Sequence, residues 1–255
     1  MTEGKDEQNR LPLVMRTGER SLRFQFGDKL DQGTYQKVLH FSRLVEQERD
    51  MLLQEWVPSY HTVTLYFRKT PQNMNKVISH YLTKWQDANR TMCTDNNKPV
   101  SISRRVTIPV CYDEEFSLDM ERISNHTNLN RQEIINMHAE TVYTVYMIGF
   151  LPGFPYLGEL NKKLATPRLE SPRRRVAKGT VGIGGQQTGI YPLESPGGWN
   201  IIGKTPLDLF NPDRKEPFLL QTGDQLTFQP ISEREFYTME KQLKQQPMLI
   251  NDFIN

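Results

Sequence analysis

The stretch GIGGQQTGIYPLESPGGWNIIGKTPLDLF, residues 182–210, reads as short β-strands joined by tight turns. Seven glycines and three prolines in its 29 residues leave no span for an ordinary helix. Between them lie short apolar runs such as Ile190-Tyr191 and Ile201-Ile202, the pattern of a β-barrel or sandwich. The glycines around Gln186, Gln187, Thr188 and Tyr191 have two readings. They are bulges and tight turns, or they let a ligand or a second backbone approach closely. Gly198 to Thr205 also fits the phosphate-loop pattern GxxxxGK[ST]. A phosphate loop must run directly into a helix whose N-terminal amides face the anion, yet Pro206 turns Thr205 away from helical angles. With Trp199 and the Ile pair inside it, this run reads as a buried strand.

Upstream, GFLPGFPYLG (149–158) combines backbone-shaping Gly and Pro with large apolar side chains. Phe150, Phe154 and Tyr156 either close the end of a barrel or form a preformed apolar pocket or partner-binding edge. Between the two glycine-rich regions lie Lys162, Lys163, Arg168, Arg173, Arg174, Arg175 and Lys178, with little acid nearby in sequence. A solvated loop is the default reading of such a cluster. The alternative is an anion site in which Arg168 or one of residues 173–175 meets a carboxylate or phosphate. His138 has no Asp or Ser partner at a mechanistic spacing and reads as structural, as do Tyr143 and Tyr146. Catalytic templates of the GxSxG, HExxH and GxGxxG kinds are absent, and no catalytic residue is singled out.

Farther out, Leu22, Phe24 and Phe26 alternate as a strand, and Gln36 to Trp56 carries apolar residues at helical spacing up to Pro58. His61 to Phe67 reads as a strand, and Pro71 opens a second helix reaching about Asn89. This is a small α/β unit. The polar run from Thr91 to Ser103 has the composition of a connection, giving domains of 1–98 and 99–255. Beyond it the sequence predicts a strand from Arg105 to Tyr112, a short helix from Phe116 to Asn128, and a capping box of Asn130 and Glu133 opening a helix through His138. A strand from Thr141 to Phe150 and a terminal helix from Glu233 to Gln245 complete the outline. The fold class expected is therefore α+β.

The 255 residues carry a net charge of only +2, which does not favour nucleic acid or an anionic membrane as partner. Met1 to Arg10 lacks the apolar segment of a secretory signal, and no run is long enough to span a bilayer. Cys93 and Cys111 show neither metal-site nor disulfide spacing, so the expected setting is cytoplasmic, with no metal.

Taken together, IPVCYDEEF (108–116), His138 to Gly158, TPRLESPRRRV (166–176), residues 182–210 and GDQLTF (223–228) are similar to the carboxyltransferase subdomain C/D family. That family includes the B subunit of ATP-dependent 5-oxoprolinase, the sporulation kinase inhibitor KipI and the first subunit of allophanate hydrolase. The resemblance implies a cyclophilin-like β-barrel after the N-terminal unit. It also implies a non-autonomous subunit of a lactam hydrolase converting 5-oxoproline to glutamate, with ATP bound through the complex. The implied partners are a homologous carboxyltransferase-type subunit and a hydrolase subunit. The alternative it carries is inhibition of a sensor histidine kinase's autophosphorylation. A third, urea carboxylase or allophanate metabolism, would require a biotin-carrying partner. The residues implied to bind substrate or partner are Phe150, Phe154, Tyr156, Arg168, Gln187, Thr188, Tyr191 and Trp199. Two departures from the family pattern stand out. Ala177 and Thr180 replace a proline and a serine, and Lys204 puts a point charge where the family often carries an arginine fork.

Overall fold

The computed structural model describes residues 11–28, 31–48, 51–92 and 104–254, with backbone alone at 89–92. The chain divides into two compact units, Met1–Ile102 and Ser103–Asn255. The polar start, Cys93 and the Asp95 to Pro99 run lie outside the described residues.

In the first unit, strands β1 (Leu13–Gly18), β2 (Ser21–Gln25), β3 (Leu53–Ser59) and β4 (Thr62–Phe67) form an antiparallel sheet in the order β1-β2-β4-β3. Its buried face carries Leu22, Phe24, Val63, Leu65 and Phe67. These side chains share a core with Val38, Phe41 and Val45 of α1 (Gln32–Glu48) and Tyr81 and Trp85 of α2 (Met74–Met92). Phe24 and Phe41 lie 4.7 Å apart, centroid to centroid.

Two boundaries differ from those expected. The helix does not continue to Trp56: α1 spans Gln32–Glu48. Leu53–Ser59 is a strand instead, with Trp56 opposite Leu65 and Pro58 opposite Val63. Pro58 is tolerated there because β3 is an edge strand. The second helix starts three residues after Pro71, where the Asn73 side chain accepts from the Lys76 N–H at 3.0 Å. Strand β1 was not expected, since its mostly exposed residues show no burial alternation.

The second unit is a closed barrel in the order β10-β7-β6-β13-β5-β12-β9, with β9 pairing β10 to complete it. Its strands are β5 (Arg105–Cys111), β6 (Tyr143–Ile148), β7 (Pro155–Leu157), β9 (Thr180–Gly184), β10 (Gln187–Ile190), β12 (Asn200–Lys204) and β13 (Gln225–Ile231). A separate ribbon pairs β8 (Arg173–Val176) with β11 (Ser195–Gly197). The barrel interior is filled by branched side chains including Ile108, Val110, Val145, Val181, Ile183, Ile190, Ile202 and Leu226. The observed α+β class, with a closed barrel following the N-terminal unit, is the one the sequence predicted.

The Asn130 to Glu133 capping box is present, with bonds of 3.0 and 2.7 Å, and opens α4 (Arg131–Glu140). Helix α5 spans Glu233–Gln245, as expected. The helix expected from Phe116 to Asn128 is split into a 3-10 turn at Glu114–Phe116 and α3 (Met120–Thr127). The break falls where Asp119 is tied to β12: its N–H donates to the Ile201 carbonyl at 2.9 Å, and its carboxylate accepts from the Ile201 N–H at 2.6 Å. The phosphate-loop-like run ends in β12, which pairs with both β9 and β5, so no helix follows it.

Candidate functional site

The two glycine-rich segments and the Phe150 loop meet in an aromatic cluster separate from the barrel core. Phe154, Tyr191 and Trp199 are buried there with Val176 and Ile201, and Leu151 and Tyr156 sit at its margin. Phe154 is central, with ring centroids 5.0 Å from Tyr156, 5.2 Å from Tyr191 and 5.4 Å from Trp199; the last two contacts are edge-to-face. Two glycines make this packing possible. A Cβ on Gly184 would sit 2.6 Å from the Trp199 ring, and one on Gly197 would sit 2.3 Å from the Tyr191 hydroxyl. What approaches the backbone at these glycines is therefore the protein's own aromatic rings.

Arg168 lies over this cluster, its guanidinium carbon 5.6 Å from the Trp199 ring centroid. Its backbone is fastened on both sides. Asn200 Nδ2 donates to the Pro167 carbonyl at 3.0 Å, and the Leu169 N–H donates to the Gly198 carbonyl at 2.7 Å. Asn200 is itself fully buried and held: it also donates to the Ile183 carbonyl and accepts from Arg122 Nε at 2.9 Å. The side chain of Arg168 is exposed and forms no ion pair among the described residues.

Its neighbours in the basic cluster differ, and the sequence impression of little opposing acid is corrected by tertiary partners. Arg173 pairs with Asp119 at 2.6 Å, Arg175 with Glu194 at 2.6 Å, and Lys178 with Asp208 at 2.5 Å. Lys204 faces two rings, 5.7 Å from the Phe116 centroid and 5.6 Å from that of Phe236. Burial pushes the Tyr156 and Tyr191 phenols upward in pKa. Arg168 pulls both back down, at Tyr191 together with the Trp199 main chain, so the guanidinium is felt at both hydroxyls.

The remaining candidates are more scattered. Phe150 is 66% exposed at φ 67°, and the Leu151 N–H donates across it to the Gly149 carbonyl at 2.8 Å, a strained γ-turn. Its ring touches Phe154 edge-on at 5.8 Å. Gln187 is half-buried on β10, opposite Gly184. Thr188 is fully buried, with its hydroxyl donating to the Gly182 carbonyl at 3.1 Å and accepting from His138 Nε2 at 2.9 Å. The other ring nitrogen of His138 accepts from the Tyr112 hydroxyl at 2.7 Å, and the ring stacks on Phe228 at 4.4 Å. These partners assign the proton to Nε2, and burial holds the His138 pKa down at about 3. His138 is thus a neutral core residue.

Sequence reading did not pick out Asp119, Arg122 and Asn200. Their partners lie between 17 and 82 residues away along the chain, so no local spacing could reveal them. Among the described residues, no group of His, Cys, Asp or Glu is placed to hold a metal ion, and no helix is long and apolar enough to cross a membrane.

An N-terminal α+β unit, a closed seven-stranded barrel and a glycine-bedded aromatic cluster under an arginine define the class. The chain belongs to the carboxyltransferase domain, subdomain C and D family, which it matches over residues 12–220. It is 33% identical over 236 residues to the 5-oxoprolinase B subunit of Bacillus subtilis (strain 168), covering 90% of this chain and 97% of that protein. Over 179 residues it is 38% identical to the 5-oxoprolinase B subunit of Escherichia coli O157:H7, covering 70% of this chain and 78% of that one. Among solved structures, TTHA0988 superposes with a TM-score of 0.69 at 30% identity. That match covers 84% of this chain, which spans only 40% of the TTHA0988 chain.

Proposed function

We propose that this chain is the B subunit of an ATP-dependent 5-oxoprolinase, holding substrate or phosphate while a homologous carboxyltransferase-type subunit and a hydrolase subunit complete the reaction. The observation that carries this reading is the match to the Bacillus subtilis 5-oxoprolinase B subunit, which runs through nearly the whole of both chains. Opening a lactam to glutamate requires activation of an unreactive amide, and phosphorylation of its oxygen supplies a leaving group. The phosphate-loop-like run of this chain is strand β12, so we assign nucleotide binding to the assembly rather than to a loop here. The role of this chain is then orientation: Arg168 and the partly buried Tyr156, backed by the buried Tyr191 and Trp199, present a surface to one reactant, and rigidity is what converts binding into rate. We place the protein in the cytoplasm with its substrate.

The test is ATP-dependent conversion of 5-oxoproline to glutamate by the co-expressed subunits, omitting each in turn. Activity lost when this chain is omitted and restored when it is added back supports the reading. Full activity without it refutes the reading. A second reading, inhibition of a sensor histidine kinase, draws on exposed Phe150 in its strained turn. It predicts that the chain slows kinase autophosphorylation and that Phe150→Ser does not.

A further inference from the structure

We infer that Phe150 and Phe218 form the surface on which this chain docks its carboxyltransferase-type partner subunit. The identity of that partner rests on the proposed function; the surface does not.

The two exposed phenylalanines among the described residues lie against one loop. Phe150 is 66% exposed and Phe218 is 43% exposed. Phe150 stands at the head of the loop that runs to Phe154. A Cβ on Gly153 in that loop, at φ 80°, would sit 3.0 Å from Phe210 Cβ and 3.5 Å from the Phe218 ring. Phe210 pairs with Phe218 in an antiparallel bridge and stacks on its ring, with centroids 5.1 Å apart. The missing side chain at Gly153 thus lets two separate loops join in one apolar surface of the kind that marks a protein contact. Residues 149–158 carry no charge, so what they recognise is itself apolar and not an ion.

Both rings are held in place before anything binds. The Phe150 loop is closed on itself: the Gly149 N–H donates to the Phe154 carbonyl at 3.1 Å, and the Phe154 N–H to the Leu151 carbonyl at 3.0 Å. Phe218 follows Pro217, whose carbonyl accepts from the Asn211 N–H at 2.9 Å and from Arg214 Nη2 at 3.1 Å. Arg214 Nη2 also donates to the Asp208 carbonyl at 2.8 Å, tying the far side of the same loop. An unfavourable φ of 67° at a mostly exposed aromatic brings little to this chain's own core. A ring fixed outward in this way loses little freedom when a partner covers it.

The lengths of the relatives point to the occupant. At similar identities of 33% and 30%, the match takes in 97% of the Bacillus subtilis protein but only 40% of the TTHA0988 chain. The same unit is therefore nearly a whole protein in one relative and part of a longer chain in the other. Joining two units in one chain raises the effective concentration of each for the other, an advantage that exists only where the two make contact. A chain of the shorter kind then meets as a separate subunit what the longer chain carries within itself.

The test is calorimetric titration of the full chain with the separately purified carboxyltransferase-type subunit from the same organism. Phe150→Ser and Phe218→Ser should each weaken binding roughly 10- to 30-fold, and the double variant more than about 100-fold. Val142→Ser is the control: it is exposed just before β6, at the other end of that strand from Phe150, and should bind like the wild type. Melting curves confirm that each variant is folded. Turnover lost by the assembly containing the double variant should return when the subunits are supplied at high concentration, which separates docking from catalysis. If the double variant binds like the wild type, or if Val142→Ser weakens binding as much, the surface is overturned; continued conversion of 5-oxoproline by the wild-type assembly then leaves the proposed function intact. A wild-type chain that does not bind the subunit overturns the inference, and the omission experiment above decides the proposed function separately. Sedimentation of the chain alone covers the remaining outcome: a dimer that the double variant cannot form, with subunit binding unchanged, would make the occupant a second copy and overturn the assignment.

Discussion

Acid should weaken the barrel through a single imidazole. His138 is fully buried, stacked on Phe228, and hydrogen-bonded as a neutral ring between Tyr112 and Thr188. Its pKa falls from the ordinary 6.5 to about 3 because burial disfavours the charged form. The unfolded chain therefore takes up a proton below pH 6.5 that the native state refuses until about pH 3. Stability from this group is complete above pH 6.5 and is lost as pH falls, at about 1.4 kcal/mol per unit, until the loss levels off near the folded value. At pH 4.5 the deficit is about 3 kcal/mol, a large share of a typical domain's stability. His138→Gln removes the titration while keeping an amide in the slot. We expect this variant to be less stable than the wild type at pH 7 but to lose about 3 kcal/mol less between pH 7 and pH 4.5. The assay is urea denaturation read at Trp199, with Trp56 and Trp85 replaced by Phe in both proteins so that the signal comes from the barrel unit. Equal losses in the two proteins would show that the native ring accepts a proton in this range, and the argument from burial would fail.

Three further outcomes follow from packing. Gly184→Ala places a methyl 2.6 Å from the Trp199 ring, so it should cost about 1–3 kcal/mol and shift tryptophan emission; unchanged emission and melting temperature would count against the bedding role of that glycine. Asp119→Ala strips Arg173 of its carboxylate and Ile201 N–H of its acceptor, and Arg173 Nη1 already lacks a partner among the described residues. A loss of about 3 kcal/mol in urea denaturation is expected, and one below about 1 would mean the pair is solvated. Phe150→Gly relieves an unfavourable φ at an exposed position, whereas Phe154→Ala empties the centre of the cluster. The first should leave stability within about 1 kcal/mol of the wild type and the second should cost about 3–5 kcal/mol, a contrast read directly from melting curves.

Much of the barrel was legible because its strands are marked locally. Apolar residues alternate or cluster between Gly and Pro over residues 105–112 and 180–204, and Asn130 with Glu133 announced a helix through chemistry contained in four residues. Legibility failed where tertiary context overrode local pattern. Leu53–Ser59 carried apolar residues compatible with a helix, and only its edge position beside β4 makes Pro58 acceptable in a strand. Asp119 broke an otherwise continuous helical pattern because β12 claims its backbone and carboxylate.

The candidate site shows the same division within a few residues. Its aromatic floor could be read from composition, since Phe154, Tyr191 and Trp199 stand in segments whose glycines and prolines fix the backbone. Its electrostatics could not. In sequence, Arg168 and Arg173 to Arg175 look alike, with a solvated loop as the default reading and an anion site as the alternative. In three dimensions, acids from elsewhere in the chain neutralise Arg173 and Arg175, whereas Arg168 and Arg174 stay exposed with no ion pair among the described residues, and Asn200 and Gly198 pin the backbone on either side of Arg168. Which cations of the cluster are neutralised is set by acids far away along the chain, Asp119, Glu194 and Asp208, and not by the spacing of the cations themselves.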